Sequence, residues 1–303
     1  MFLQFTLPLS VNCLFIPSPM EEIEIRLCKT WDECVQCEEV QKQVWEMPDY
    51  RDVVPANLLI TAIKNGGILV GAFDAERMIG FAFGILGSEL ADGLPRYKHT
   101  SHMLAVLPDA RVRGLGAQMK WFQRAEALRQ GLDLMTWTYD PLQAVNAALN
   151  LVRLGAVARR YYRNAYGDMT DALNIGVASD RFEVEWYLKS PRTMAHQTTR
   201  AQSQIPQDAS YIYQVEFNNQ DLARIVGVNA FHGETLLVEI PADFNAMKTR
   251  NRPLAVEWRA ATRETFEGAF ASGYVACDVH QAMGEKGNRR VFYVLRQHVE
   301  NFI

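Results

Sequence analysis

The chain has 303 residues, 49% of them hydrophobic, enough for one large or two ordinary domains with their own cores. A net charge of −4 from interspersed signs leaves no cationic face for nucleic acid, and no stretch offers the roughly 18 uncharged apolar residues of a membrane span. With 15 Phe, 11 Tyr and 6 Trp, disorder is excluded as well.

Residues 1–19 are apolar but hold prolines and lack a basic start, so they read poorly as a signal peptide. Two expectations follow: a natural start at Met20, or a loosely packed N-terminal extension. Without an export signal, five cysteines fit a reducing cytoplasm. The first strand is Glu22–Leu27. Thr30 caps a helix running to Trp45, and Pro55 opens a second that stops at Gly66–Gly67. Cys34 and Cys37 form a C-x-x-C inside the first helix. No second Cys/His pair follows at ligand spacing, so they read as a helix-face pair, and no metal is expected.

"ILVGAF" and "MIGFAFGIL" are strands joined by the hairpin "DAER"; "KHTSHMLAV" is another, followed by the helix "GLGAQMKWFQRAEALRQG" and the strand "DLMTWTY". Asp140–Pro141 opens a helix through Leu154 that Gly155 closes. "AVARRYY" and "RFEVEWYL" complete the first half. An antiparallel run followed by strand–helix–strand units implies a mixed α/β fold with helices on both faces of the sheet. The polar, turn-rich residues 191–208 read as a linker between a domain at 20–190 and a C-terminal α+β domain at 209–303.

Between the strand and third helix lies "VLPDARVRGLGAQM". Pro108 and Asp109 end the strand. Gly114 and Gly116 remove side chains where the chain turns into the helix, so the amides of 112–117 can converge. The helix start adds partial positive charge, and Arg111 and Arg113 add full charges. Such a nest favours a pyrophosphate-like anion; the alternative is a plain glycine-containing turn. The dinucleotide and Walker patterns are both absent, which disfavours a nicotinamide-dependent oxidoreductase.

The segment "MLAVLPDARVRGLGAQMK" closely resembles the acyl-CoA-binding signature of the GNAT superfamily of N-acyltransferases: an apolar strand with V-x-P, then [RQ]-x-x-G-x-[GA] opening a helix. Val106 and Pro108 match the strand end; Arg111, Gly114 and Gly116 match the loop. The element order is also the family's over about residues 22–188, and the chain looks like a bacterial group with an extra C-terminal half. The resemblance implies a twisted GNAT-like mixed sheet. It places the coenzyme A pyrophosphate on the amides of Val112, Arg113, Gly114, Leu115, Gly116 and Ala117. The pantetheine arm would pair with Leu104, Ala105 and Val106, and the strand "DLMTWTY" would splay away to open a cleft. Asn146 lies near a position where family members use Asn toward coenzyme A, one turn before Asn150.

The family's usual acid, a Tyr, is replaced by Leu151, aligned on Leu154–Gly155. Tyr139, Tyr161 and Tyr162 are candidate substitutes or packing aromatics. His102 is a candidate base, sharing by strand alternation a face with Leu104 and Val106, with His99 opposite. Asp140 can hold a cationic amine or cap the helix after it. The resemblance implies transfer of an acetyl group, or of a carboxylated one such as succinyl if an arginine faces the thioester end, from acyl-CoA to a small-molecule amine such as an amino acid. The alternative is a non-catalytic coenzyme A-binding module. A monomer or homodimer is expected, with no nucleic-acid or membrane partner.

In the second half, "TLLVEIPADFN", the helix "PLAVEWRAATRETFEGAFASGY" and the strands "VACDVHQ" and "RRVFYVLRQ" echo strand–helix–strand–strand of the first. A partial repeat and chance similarity both fit, and helices on different sheet faces would exclude the repeat. Among Arg250, Arg252, Arg259 and Arg263, the pair Arg259/Arg263 can hold a substrate carboxylate or pair with Glu257, Glu264 or Glu267 in solvent.

Overall fold

In the computed structural model of the chain the described residues are 23–47, 49–111, 114–167, 175–198, 205–284 and 287–298. The proposed extension at 1–19, and Val112 and Arg113 of the loop, lie outside them.

Strand β1 (Glu24–Leu27) leads into α1 (Trp31–Trp45). The Thr30 hydroxyl accepts from the Glu33 amide while the Glu33 carboxylate accepts from the Thr30 amide, a reciprocal capping box. Burial pushes the Glu33 pKa up, but the Lys29 amide, Arg26 and the Thr30 amide outweigh it and hold the carboxyl at about 2, against an ordinary 4.5. Stability from a depressed carboxyl is complete above the unfolded pKa and is lost as pH falls from 4.5 toward 2. Glu33→Gln is therefore expected to cost about 1 kcal/mol at pH 7 and to flatten stability across that acid window, measured by urea unfolding.

Helix α2 (Ala56–Lys64) ends near Gly66, whose φ of +87° suits glycine. Strands β2 (Ile68–Asp74), β3 (Arg77–Ala91) and β4 (Leu94–Val106) form an antiparallel meander with β1 at its edge. The β3–β4 hairpin is much longer than the strands expected from the sequence. Its turn is Asp92–Gly93, with φ of 52° and 78°, a pair suited to such tight reversals.

Then come α3 (Leu115–Arg129), β5 (Leu134–Tyr139), α4 (Ala144–Ala147) continuing as π-helical turns over Ala148–Arg153, β6 (Val157–Tyr162) and β7 (Arg181–Tyr187). The stretch read as a linker begins with a helix, α5 (Pro191–Thr198), because Ser190 Oγ caps the Thr193 amide at 3.2 Å. Arg192 of α5 donates to the carbonyls of Gly155 and Cys277, fastening it to both halves.

The second half adds β8 (Ser210–Tyr211), β9 (Tyr213–Phe217), β10 (Ala223–Val228), β11 (Thr235–Ile240), α6 (Phe244–Arg250), α7 (Arg252–Ala271), β12 (Val275–Met283) and β13 (Arg289–Arg296). Both halves share one eleven-stranded sheet, ordered β1-β2-β3-β4-β5-β7-β6-β12-β13-β11-β8. From the central Ala158–Ala276 pair the order reads β6-β7-β5-β4 one way and β12-β13-β11-β8 the other.

The correspondence extends to register. β4 meets β5 in parallel only at Met135 and Thr136, and β8 meets β11 in parallel only at Leu236 and Leu237, the second and third residues of each strand. A bulge follows Ala158 in β6 and Ala276 in β12. The helices also lie on one face. Trp137, two residues before Tyr139 and so on its side of the sheet, donates to Asn150 Oδ1 beside α4. Phe182, paired with Tyr139, packs on Phe266 of α7 at 4.7 Å between ring centroids. This arrangement fits a partial repeat about an approximate twofold axis. Among the described residues the second half has no helix equivalent to α3; there the β9–β10 hairpin packs on α7, with Tyr213 bonded to Thr265.

Candidate functional site

The sheet opens beside β4. After His99↔Met135 and Thr100↔Thr136 the parallel pairing stops, although β4 runs on to Val106 and β5 to Tyr139. The two strands therefore part, leaving a wedge between residues 101–106 and 137–139. Leu104, Ala105 and Val106 keep their bonds to β3 and present their other edge to this wedge.

The wide end of the wedge meets the start of α3. Gly114 takes φ +89° and ψ 6° as the residue before the helix, and no atom lies within 4 Å of where a Cβ would stand. The first helical bond runs from Gln118 N–H to Gly114 O. The amides of Leu115, Gly116 and Ala117 thus have no acceptor within the helix, and no carbonyl of another described residue accepts from them. Leu104 Cδ2 sits 3.6 Å from the would-be Gly116 Cβ, an ordinary contact, so β4 packs under the helix start there. Leu115 is buried, Ala117 half-buried, and Arg111 exposed.

His102 is the bulged residue of β4: Ser101 pairs with Gly84 and Met103 with Phe83, leaving His102 without a rung. The bulge changes the expected facing. His99 and Ser101 point with Leu104 toward α3, whereas His102 lies edge-on to Phe83, ring centroids 6.5 Å apart, on the opposite side. The His102 side chain is exposed at the sheet surface, and partial desolvation moves its pKa below the ordinary imidazole value. His99 is fully buried; desolvation and Lys120 lower its pKa to about 3.

Tyr139 is buried, with its hydroxyl 3.0 Å from that of Tyr293, and desolvation raises its pKa. Tyr161 donates to Asp180 at 2.6 Å and Tyr162 to Glu183 at 2.8 Å. Each candidate tyrosine is thus held by a partner. Leu151 is fully buried, Asn146 exposed, and Asn150 buried against Trp137.

Asp140 does not cap the following helix. Its Oδ1 accepts from the Leu142 amide at 2.9 Å in a tight turn, and α4 begins later, after Gln143. Its Oδ2 accepts from Arg259 at 2.7 Å. Arg263 grips Asp180 through Nε and Nη2 at 2.7 and 2.8 Å. Neither arginine takes the solvent glutamates expected from the sequence, because α7 lies inward against the first half and the nearest acids there are Asp140 and Asp180. Sequence reasoning also missed Lys120, Gln123, Ser101 and Trp137, which cluster at the narrow end of the wedge. The signal that could have found two of them is the helical spacing Leu115–Met119–Gln123–Ala127, with Gln123 on that buried stripe and Lys120 beside it.

No family profile matches the chain, and no curated protein does. Solved structures do. An acetyltransferase of the GNAT family from Streptococcus pneumoniae is 14% identical, covering 54% of this chain and 98% of its own, with a TM-score of 0.43. The ribosomal-protein-S18-alanine N-acetyltransferase of Escherichia coli is 16% identical, over 55% of this chain and 94% of its own, with a TM-score of 0.42. The PaiA N-acetyltransferase of Thermoplasma acidophilum, solved with coenzyme A, is 15% identical, over 55% and 99%, with a TM-score of 0.40. Over about 55% of its length the chain is similar in structure to GNAT-family acetyltransferases, and it carries a further α+β stretch beyond that likeness.

Proposed function

We propose that the chain is an acyl-CoA-dependent N-acyltransferase of the GNAT type that acylates a primary amine of a small molecule. The observation that carries this reading is the parting of β4 from β5 beside a helix start whose amides have no carbonyl acceptor among the described residues. A diphosphate there would accept from the Leu115–Ala117 amides at the positive end of the helix. A pantetheine arm then runs along the free edge of Leu104–Val106 and brings a thioester toward the bulge at His102.

In the ternary complex a neutral amine attacks the thioester carbonyl. The C–N bond forms, the C–S bond breaks and coenzyme A leaves as thiolate, which needs little help at an ordinary thiol pKa. The proton lost from the amine goes to His102 directly or through water. Asp140, neutralised by Arg259, is assigned to positioning the end of β5 rather than to binding an ammonium group.

The test incubates the protein with an acyl-CoA panel and mixed amino acids while free thiol is followed. Thiol release dependent on amine is expected, falling as pH drops through and below the normal imidazole range. His102→Gln is expected to slow release by about 10²-fold and to remove that acid limb. A second reading, a coenzyme A-binding module without chemistry, is favoured by Leu151 and by the committed tyrosine hydroxyls. It requires coenzyme A binding with no amine-dependent thiol release.

A further inference from the structure

Lys120 is 2% exposed and has no carboxylate among its neighbours in the described residues. Its Nζ donates to Ser101 Oγ at 2.9 Å, Gln123 Oε1 at 3.0 Å and Met135 Sδ at 3.3 Å, and lies 3.8 Å from the centre of the Trp137 ring. Every contact is an acceptor or an aromatic face, the surroundings of an ammonium ion. Burial works against the charge and pushes the Lys120 pKa well down, so the amine gains its proton most readily when an anion enters beside it.

The cluster has donors to spare. Gln123 Oε1 is occupied by both Lys120 and Ser101, while its Nε2 is buried without a partner. Both ring nitrogens of His99 are likewise buried and unpartnered, and the neutral ring adds one N–H donor. A buried polar group left unmade costs about 1–3 kcal/mol, so a lysine amine beside the unpaired Gln123 Nε2 and one imidazole N–H is a donor set suited to an anion, whose charge would in turn favour the ammonium form. Its position is equally specific. His99 and Met135 form the first of the two β4–β5 pairs, and Ser101 is the first β4 residue beyond them. The cluster therefore closes the narrow end of the wedge, opposite the α3 start.

We propose that this Lys120–Gln123–His99 cluster receives the distal carboxylate of a dicarboxylic acyl group, making a succinyl-type thioester the preferred donor. The inference rests on the coenzyme A reading above. From Leu104 to Ser101 is roughly 10 Å at 3.3 Å per residue, so an acyl chain extending past the thioester points to the cluster. One carboxylate oxygen accepts from Lys120 in place of Met135 Sδ, the weakest of its three acceptors, and the other accepts from Gln123 Nε2. Met135 is unbranched and can move aside. A monocarboxylic acyl chain offers the cluster no charge.

The test measures affinities for succinyl-CoA, butyryl-CoA and coenzyme A by calorimetry, which requires no amine acceptor. Butyryl has the same chain length as succinyl without the carboxylate. The wild-type protein is expected to bind succinyl-CoA at least tenfold more tightly than butyryl-CoA. Lys120→Met is expected to abolish that ratio while keeping coenzyme A affinity within about threefold, which also shows that the variant folds. Gln123→Leu is expected to reduce the ratio and serves if Lys120→Met does not fold. Equal wild-type affinities for the two thioesters, or a ratio that survives in a folded Lys120→Met or Gln123→Leu variant, overturns the proposal and leaves the coenzyme A reading standing. Failure of all three compounds to bind overturns the coenzyme A reading, and the proposal with it.

Discussion

Gly114→Glu is expected to lower coenzyme A affinity by at least about 100-fold while the protein remains folded. Two effects combine. A side chain at φ +89° strains the backbone by about 1–2 kcal/mol, which tilts the amides of the α3 start. A carboxylate there also faces the diphosphate; like charges 4 Å apart repel by about 4 kcal/mol at an effective dielectric of 20. No neighbour within 4 Å blocks the new side chain, so steric damage does not enter. Gly114→Asn separates the contributions, since Asn tolerates the left-handed conformation and adds no charge. It is expected to retain affinity within a fewfold. Calorimetric titration of both variants with coenzyme A checks this, and equal affinity for Gly114→Glu and wild type would remove the diphosphate from this loop.

The largest expected stability effect belongs to Asp140→Ala, at about 3–5 kcal/mol in urea unfolding. Arg259 is 3% exposed, and its Nε and Nη1 already lack partners. Desolvation lowers its pKa, but Asp140 overcomes this and holds the guanidinium charged. Removing Asp140 leaves that charge buried beside the Phe244 ring, whose centroid lies 5.1 Å away, and also removes the turn bond to the Leu142 amide. Arg259→Met, which removes the charge but keeps a long apolar side chain, is expected to cost less. The double variant is expected to recover part of the Asp140→Ala loss. A loss below 1 kcal/mol for Asp140→Ala would mean that the pair does not join the halves.

Much of the first half was legible because its signals are local. Thr30 with Glu33 marks a helix start, Gly66 and Gly155 mark stops, a continuous apolar run marks β2, and two-residue alternation marks β5. The Asp92–Gly93 turn was equally local but lies far beyond the ends of the strands expected from the sequence, in an unusually long hairpin. What could not be read was register and long-range pairing. One extra residue at His102 reverses which histidine faces α3, and alternation alone carries no sign of it. The partners of Arg259 and Arg263 lie 119 and 83 residues away, so helix spacing pointed instead to nearby glutamates. Likewise the echo of "DLMTWTY" in "TLLVEI" was visible, but the shared sheet, the matching two-residue parallel contacts and the paired bulges needed coordinates.

The most direct measurement is amide hydrogen exchange of the wild-type protein with and without saturating coenzyme A. Slowed exchange is expected in two segments together, residues 104–106 and 114–117, where the carrier's arm and diphosphate would take up N–H groups that the protein leaves outward. Binding that protects neither segment, or no binding at all, would show that the wedge between β4 and β5 serves some other purpose.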